Sequence, residues 1–227
     1  MKKILFAILL MALACGASLS AQRRSVSILG DSYSTFEGFV RPDNNLVWYF
    51  ADSDTARTDV SSVRDTWWHR FVRDNNLRLE QNNSYSGSTI CNTGYDKADY
   101  SDRSFVTRMK NLGSPDMIII FGGTNDSWAG APIGEYKYGG WTAEDLNAFR
   151  PAMACMLATM KDYYPGTDIY FVLNCILSED INDSVHEICR HYGVPVVDLE
   201  GIDCRHGHPT RKGMNQIAEQ VKAVVFK

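Results

Sequence analysis

An almost wholly apolar segment at residues 116–123 (DMIIIFGG) constrains the fold more than any other feature of the sequence. Between Met117 and Phe121 it carries no polar residue, so both faces of an extended chain would be apolar here. Such strands are typical of parallel sheets, because helices cover both faces of the sheet. The segment therefore predicts one central strand of a buried parallel sheet.

Further strand and helix patterns alternate along the rest of the chain. Short apolar or alternating segments predict strands at residues 25–30, 77–83, 168–174 and 194–199. Apolar residues at helical spacing predict helices over residues 65–75, 144–163, 183–192 and 209–226. This alternation predicts a three-layer α/β/α fold around a mostly parallel five-stranded sheet. The chain contains no internal repeat and no linker, so we expect one domain over residues 22–227.

The N-terminal residues have the pattern of a secretory signal peptide. Lys2 and Lys3 precede an apolar run over residues 4–14, and small residues follow up to Ala21. The run is too short to span a bilayer, so no stable membrane insertion is expected. Cleavage after Ala21 would export the protein to the periplasm or the extracellular space. A lipid anchor at Cys15 is the less favoured alternative, because the residue three positions before it is not the usual Leu.

Charge and cysteine content exclude some function classes. The chain has 23 Lys and Arg residues against 27 Asp and Glu residues, a net charge of −4. No basic run exceeds two residues, so a nucleic-acid partner is not expected. The six cysteines form no CxxC pair, and a structural zinc site is not expected either. Export would permit disulfides without requiring them, and the pattern leaves their pairing and the oligomeric state open.

Polar residues suited to acyl transfer follow four of the predicted strands. Ser32 comes after the first strand, Gly87 after the second, Asn125 after the third and His208 after the fifth. Ligands bind beyond the carboxyl ends of parallel strands, so these residues are expected to meet at one edge. A hydroxyl, backbone and amide donors, and an imidazole are the groups that acyl transfer needs.

These segments, in this order, resemble the four blocks of the SGNH hydrolases, also called the GDSL esterase/lipase superfamily. The blocks read Gly30-Asp31-Ser32-Tyr33, Ser86-Gly87-Ser88, Gly123-Thr124-Asn125-Asp126 and His208-Pro209-Thr210. The resemblance extends over residues 25–222 and implies the flavodoxin-like SGNH hydrolase fold. It also implies a serine esterase that needs no metal and no cofactor. By this resemblance Ser32 is expected to be the nucleophile, His208 the base and Asp203 the acid. The backbone N–H groups of Ser32 and Gly87 and the side-chain amide of Asn125 are expected to form the oxyanion hole.

The last block departs from the family pattern in the position of the acid. The acid usually lies three residues before the base, where this chain has Arg205. Asp203 lies five residues before His208 and three before His206, so either histidine could be the base. We favour His208 because Pro209 follows it, with Gly207 allowing the chain to bend Asp203 towards the imidazole. A Ser/His dyad stays open, and a metal site at the Asp203, His206 and His208 cluster is less favoured.

Together these features predict a secreted serine esterase that hydrolyses carboxylic esters through an acyl-enzyme. Short O-acyl groups, acetyl above all, on carbohydrate are the favoured substrates, so the expected partner is a small-molecule or glycan ester. The loops contain no long apolar run for an acyl chain, and they carry aromatic residues expected to line the cleft: Trp48, Tyr49, Trp128, Tyr136, Tyr138 and Trp141. The alternatives are a lysophospholipase or thioesterase of the same family, and a catalytically silent glycan-binding module.

Overall fold

The computed structural model describes residues 22–227 and contains the predicted five-stranded sheet. The predicted signal peptide, residues 1–21, lies outside the described residues. The strands are β1 Ser25–Gly30, β2 Arg78–Ser84, β3 Met117–Phe121, β4 Asp168–Leu173 and β5 Val196–Asp198. All neighbouring strands of this sheet pair in parallel, in the order β2-β1-β3-β4-β5.

Helices cover both faces of the sheet, which confirms the three-layer prediction. Ile118 and Ile120 of β3 face one apolar cluster, and Met117, Ile119 and Phe121 face the other. The helices are α1 Trp67–Asp74, α2 Phe105–Arg108, α3 Thr124–Ala129, α4 Phe149–Tyr163, α5 Glu179–Tyr192 and α6 Arg211–Val225. Residues of α2, α4 and α5 complete the first cluster, and residues of α1 and α6 complete the second.

Helices α2 and α3 were not predicted, and α5 begins at Glu179 rather than at residue 183. Two further differences concern the start of helix α4 and the segment after β5. Helix α4 begins at Phe149 rather than at residue 144, because Ala148 is extended and a short 3-10 turn, Asp145–Asn147, precedes it. Pro151 then falls in the first turn, where its missing N–H costs no helical hydrogen bond. The second feature is a small antiparallel hairpin of β6 (Cys204–Arg205) and β7 (His208–Pro209), which is too short to show a sequence pattern.

Two observations bear on the export prediction without testing it. None of the helices in the described residues is long and apolar enough to cross a membrane. The cysteines of residues 22–227 are free thiols, namely Cys91, Cys155, Cys175, Cys189 and Cys204.

Candidate active site

Ser32 and His208 are hydrogen-bonded at the carboxyl edge of the sheet. The His208 Nε2 atom lies 2.9 Å from the Ser32 Oγ atom, and both side chains are almost completely buried. Ser32 opens a short 3-10 turn directly after β1, and the Asp31 carboxylate caps this turn by accepting the Tyr33 N–H at 3.0 Å. The turn therefore holds the serine hydroxyl at the end of a central strand, facing the hairpin.

The hairpin that carries His208 has a two-residue turn at His206 and Gly207. Both residues have positive φ, 49° and 75°, as a type I′ turn requires. The register pairs Arg205 with His208 and Cys204 with Pro209. This tight turn sends the His206 carbonyl towards the ring of His208, where it lies 3.2 Å from Nδ1. A carbonyl can only accept, so Nδ1 carries a hydrogen and donates it; in the neutral imidazole Nε2 is then left to accept the serine proton.

The predicted contact between Asp203 and His208 is wrong. The hairpin register continues beyond Cys204 and Pro209, so that the Thr210 N–H donates to the Asp203 carbonyl at 3.0 Å. Asp203 thus lies opposite Thr210, and its carboxylate accepts a hydrogen bond from the Thr210 hydroxyl. No hydrogen bond or ion pair joins Asp203 to His208 within the part of the chain that the structure describes. Gly207 bends the chain, but the bend presents the His206 carbonyl rather than the carboxylate.

Asp203 and Thr210 instead fix the start of helix α6. Thr210 is the N-cap of this helix, and its hydroxyl oxygen accepts the Gly213 N–H at 3.2 Å. A Cβ atom at Gly213 would collide with the Asp203 carbonyl oxygen, so glycine is required for this close approach. The His-Pro-Thr block therefore joins the His208 hairpin to a capped helix.

His208 is enclosed by aromatic side chains. The Trp48 indole stacks on its imidazole, with ring centroids 3.6 Å apart and planes 6° from parallel. Burial, with a smaller effect of the nearby positive charge of Arg57, lowers the pKa of His208 to about 4, although the hydrogen bond to the His206 carbonyl acts in the opposite direction. The imidazole is therefore neutral near pH 7 and able to accept a proton.

Two buried tyrosines hold the hairpin backbone on either side of His208. The Tyr33 hydroxyl donates to the Gly207 carbonyl at 2.5 Å, and the Tyr49 hydroxyl donates to the Pro209 carbonyl at 2.9 Å. Burial raises the pKa of both phenols well above the ordinary value, so both hydroxyls keep their protons as donors. Tyr33 stands where the family block commonly has Leu. The sequence shows that departure, but only the fold shows the carbonyl that the hydroxyl reaches.

The predicted oxyanion donors lie on the segments that flank Ser32. Gly87 has φ +82°, a conformation that favours glycine. The Asn125 side chain is fixed at both ends, because its Nδ2 donates to the Ser88 carbonyl at 3.0 Å and its Oδ1 accepts the Tyr95 hydroxyl at 2.9 Å. An amide nitrogen carries two hydrogens, so one remains for an oxyanion. The backbone N–H groups of Ser32 and Gly87 have no acceptor among the described residues.

A buried arginine that the sequence did not single out ties these segments together. The Arg108 guanidinium donates to the Gly30 carbonyl at 3.2 Å, to the Ser88 hydroxyl at 2.8 Å, and to the Asn83 carbonyl. Burial lowers its pKa to about 9. Burial also raises the pKa of Asp31 to about 7, although the hydrogen bond from the Tyr33 N–H and the positive charge of Arg108 both act to lower it. Arg108 thus connects the end of β1, the end of β2 and the Gly87 loop.

Asp126 anchors the far end of the Gly87 loop. Its carboxylate accepts the backbone N–H of Ile90 at 2.8 Å and that of Cys91 at 3.2 Å. Burial raises the pKa of Asp126 to about 6, although these hydrogen bonds favour the charged form. The last residue of the third block therefore positions the loop that carries the second block.

The aromatic residues predicted to line the cleft divide into two groups. Trp128 is 38% exposed beside the site, and its ring centroid lies 6.2 Å from that of His208. Trp48 also contacts His208, but Tyr49 is completely buried. Tyr138 and Trp141 pack against the core, and Tyr136 stacks on Tyr138, so no contact joins this group to His208 in the described residues.

The alternatives for His206 find no support in the geometry. The side chain of His206 is exposed, and the residue meets His208 through its carbonyl. Within residues 22–227, no group of three or more His, Cys, Asp or Glu side chains could hold a metal ion.

Comparison with known proteins gives a consistent result. The family model for GDSL-like lipase/acylhydrolase matches residues 24–225. A protein from Bacteroides ovatus described as a GDSL-like lipase is 58% identical; the match covers 90% of this chain and 99% of that chain, with a TM-score of 0.89. A second protein described as a GDSL-like lipase, from Bacteroides uniformis, is 56% identical; the match covers 90% of this chain and 96% of that chain, with a TM-score of 0.88. An acetyl xylan esterase from the rumen bacterium Butyrivibrio proteoclasticus shares the fold at 16% identity and a TM-score of 0.54, covering 89% of this chain and 63% of that chain.

A search of curated proteins finds no match. The family model nonetheless covers almost all of the described residues, and both Bacteroides structures share more than half of their aligned residues with this chain. The chain therefore belongs to the GDSL-like lipase/acylhydrolase family of ester hydrolases.

Proposed function

We propose that the protein is a serine esterase that works through a Ser32–His208 dyad and an acyl-enzyme. The observation that carries this proposal is the 2.9 Å hydrogen bond between Ser32 Oγ and His208 Nε2. His208 takes the proton of Ser32 as the serine oxygen attacks the ester carbonyl, and the alcohol leaves with that proton. Water, activated by the same imidazole, then hydrolyses the acyl-enzyme and restores Ser32.

The oxyanion that forms in each step would be held by the backbone N–H groups of Ser32 and Gly87 and by the Asn125 amide. Each donor is worth on the order of 3 kcal/mol in the transition state. In place of an acid, the His206 carbonyl would hold the imidazole in the tautomer that leaves Nε2 free to accept. A carbonyl fixes this tautomer but supplies no full negative charge to the imidazolium that forms.

We propose short O-acyl groups on carbohydrate as the substrate class. Trp128 supports this proposal because its ring is partly exposed beside the base, where it could pack against a sugar ring. The acetyl xylan esterase with the same fold is too distant to indicate a substrate by itself. Export of residues 22–227 as one hydrolase domain, after cleavage of the proposed signal peptide, would bring the enzyme to extracellular or periplasmic glycans.

The dyad is tested with Ser32→Ala, His208→Ala and the matched control His206→Ala, all assayed with 4-nitrophenyl acetate. We expect the first two variants to lose several orders of magnitude in kcat, whereas His206→Ala keeps most of its activity because its backbone carbonyl remains. A fluorophosphonate should label Ser32, and EDTA should leave turnover unchanged. Labelling of another serine, or a fully active Ser32→Ala variant, would contradict the proposal.

The substrate class is tested by acyl length and by Trp128→Ala. Each buried CH₂ group would add about 0.8 kcal/mol only if an apolar groove received it, so acetyl esters should surpass octanoyl esters in kcat/KM. Trp128→Ala should raise KM for an acetylated oligosaccharide and leave KM for 4-nitrophenyl acetate unchanged. A steady rise in kcat/KM up to long acyl chains would instead identify a lipase.

A further inference from the structure

The Arg57, Trp48 and His208 side chains form a continuous stack beside the nucleophile, which we name the stacked trio. The Arg57 guanidinium carbon lies 3.7 Å from the centroid of the Trp48 ring, on which the His208 imidazole stacks at 3.6 Å. Trp48 is half-buried and Arg57 is exposed. Both faces of the indole are thus covered by cationic or ionisable groups, which leaves neither face for a sugar.

The turn that carries the nucleophile also anchors Trp48. The backbone N–H of Trp48 donates to the Thr35 hydroxyl oxygen at 2.8 Å, and that hydroxyl donates to the Ser32 carbonyl at 2.9 Å. Two hydrogen bonds therefore fix the Trp48 backbone relative to the turn that carries the nucleophile, and the stack aligns the imidazole with the indole. This connection is independent of the hairpin that carries His208.

We propose that Trp48 is the positioning residue that orients the His208 ring where a family acid would otherwise do so, and that Arg57, on the outer face of Trp48, helps to keep His208 unprotonated. The proposal rests on the proposed esterase function and deepens it. The ring is held by hydrogen bonds to the His206 carbonyl at 3.2 Å and to the Ser32 hydroxyl at 2.9 Å, and the parallel indole restricts the rotation of the imidazole plane that these bonds still allow. The indole face also attracts the imidazolium that forms when Ser32 loses its proton.

The groups around His208 indicate the direction of the effect on its protonation. Tyr33 and Tyr49 face the ring and stay protonated, and the Asp203 carboxylate is turned to Thr210. Arg57 is therefore the charge that acts on the imidazole across the stack, and it lowers the pKa of His208 in the same direction as burial does. Replacing Arg57 with a neutral residue should raise this pKa, and exposing the ring to water should raise it further.

The test compares Trp48→Phe, which keeps an aromatic face, with Trp48→Leu, which does not. The matched control is Phe50→Leu, two residues along the same segment and partly exposed. With 4-nitrophenyl acetate we expect Trp48→Leu to lose about tenfold or more in kcat with little change in KM, because the imidazolium loses the indole face. Its acid limb in kcat/KM should nevertheless move to higher pH, because burial is the largest cause that lowers the pKa of His208 and its loss outweighs the lost attraction of the indole. The kcat of Trp48→Phe should stay within about threefold of the wild-type value, because ring stacking persists. The kcat of the control Phe50→Leu should stay within the same range, because Phe50 is not part of the stack.

Arg57→Gln tests the outer face of the stack and is safe for folding because Arg57 is exposed. We expect its acid limb to move to higher pH while the kcat plateau is kept. The control Lys222→Gln, an exposed charge on helix α6, should leave the limb in place. If circular dichroism shows that Trp48→Leu is unfolded, Trp48→Phe and Arg57→Gln test the proposal in its place.

The proposal is overturned if Trp48→Leu keeps the wild-type kcat, if Trp48→Phe is as impaired as Trp48→Leu, or if Arg57→Gln has the acid limb of Lys222→Gln. These outcomes presuppose an active wild-type enzyme that Ser32→Ala inactivates. They are therefore distinct from failure of the esterase proposal, in which the wild type itself does not turn over.

Discussion

Asp203→Asn separates a Ser–His dyad from a Ser–His–Asp triad. In a triad, the same change slows turnover about 10⁴-fold, because the histidine loses its tautomer and its counter-charge. Here the Asp203 carboxylate accepts a hydrogen bond from the Thr210 hydroxyl, and the His206 carbonyl accepts one from Nδ1–H of His208. An asparagine side chain can still accept from Thr210, but the bond is no longer charge-assisted. Charge-assisted bonds contribute about 1.5–3 kcal/mol and neutral ones about 0.5–1.5 kcal/mol, so the expected loss of stability is about 1 kcal/mol.

For a domain of this size, about 1 kcal/mol corresponds to a fall of roughly 2–4 °C in Tm. If all of it appeared in the transition state, turnover would slow by less than about tenfold. The assay is steady-state hydrolysis of 4-nitrophenyl acetate with a thermal melt of the same preparation, and Asp183→Asn on helix α5 is the charge-matched surface control. A loss of turnover approaching the triad value of about 10⁴-fold, at unchanged Tm, would refute the reasoning, because it would require the carboxylate to reach His208 during catalysis.

Three further predictions follow from single contacts. Tyr33→Phe removes the hydroxyl that donates to the Gly207 carbonyl and should cost about 0.5–1.5 kcal/mol in urea unfolding; an unchanged midpoint would contradict it. Burial raises the pKa of Asp31 to about 7, so between pH 4 and 7 this carboxyl group binds more protons in the folded than in the unfolded protein, and its contribution to stability falls as pH rises. Asp31→Asn should therefore gain stability relative to the wild type over that window, and a constant difference would count against this reading. Because the pKa of His208 is about 4, the acid limb of kcat/KM should lie near pH 4; a limb near pH 6.5 would show a solvated imidazole.

The sequence by itself was sufficient to predict the five-stranded sheet and the order of the four blocks along the chain. A strand such as β3, which is apolar on both faces, has to be covered on both sides. The segments with helical spacing between the strands predict the helices that cover it. The polar residues at strand ends then meet at one edge, whatever the details of the loops. These are local patterns combined with one topological rule, and therefore they can be read from the chain.

Contacts between segments distant in the chain could not be read in this way. The spacing of Asp203 and His208 suggested a contact, but a two-residue turn set the register and directed the carboxylate to Thr210. The number of residues between two positions does not specify which of them a tight turn places face to face. The hairpin strands have two residues each, so no periodicity marks them in the sequence.

The surroundings of the base were likewise decided by the tertiary structure. Trp48 and His208 lie far apart in the chain and stack face to face, and Arg108 reaches three backbone segments from one buried guanidinium. Neither Trp48 nor Arg108 stands in a block that marks its role. The sequence determined which groups could carry out ester hydrolysis, because strand ends converge by topology. Only packing determined which groups hold and tune them, because stacking and buried charge depend on distances that arise when the loops fold over the sheet edge.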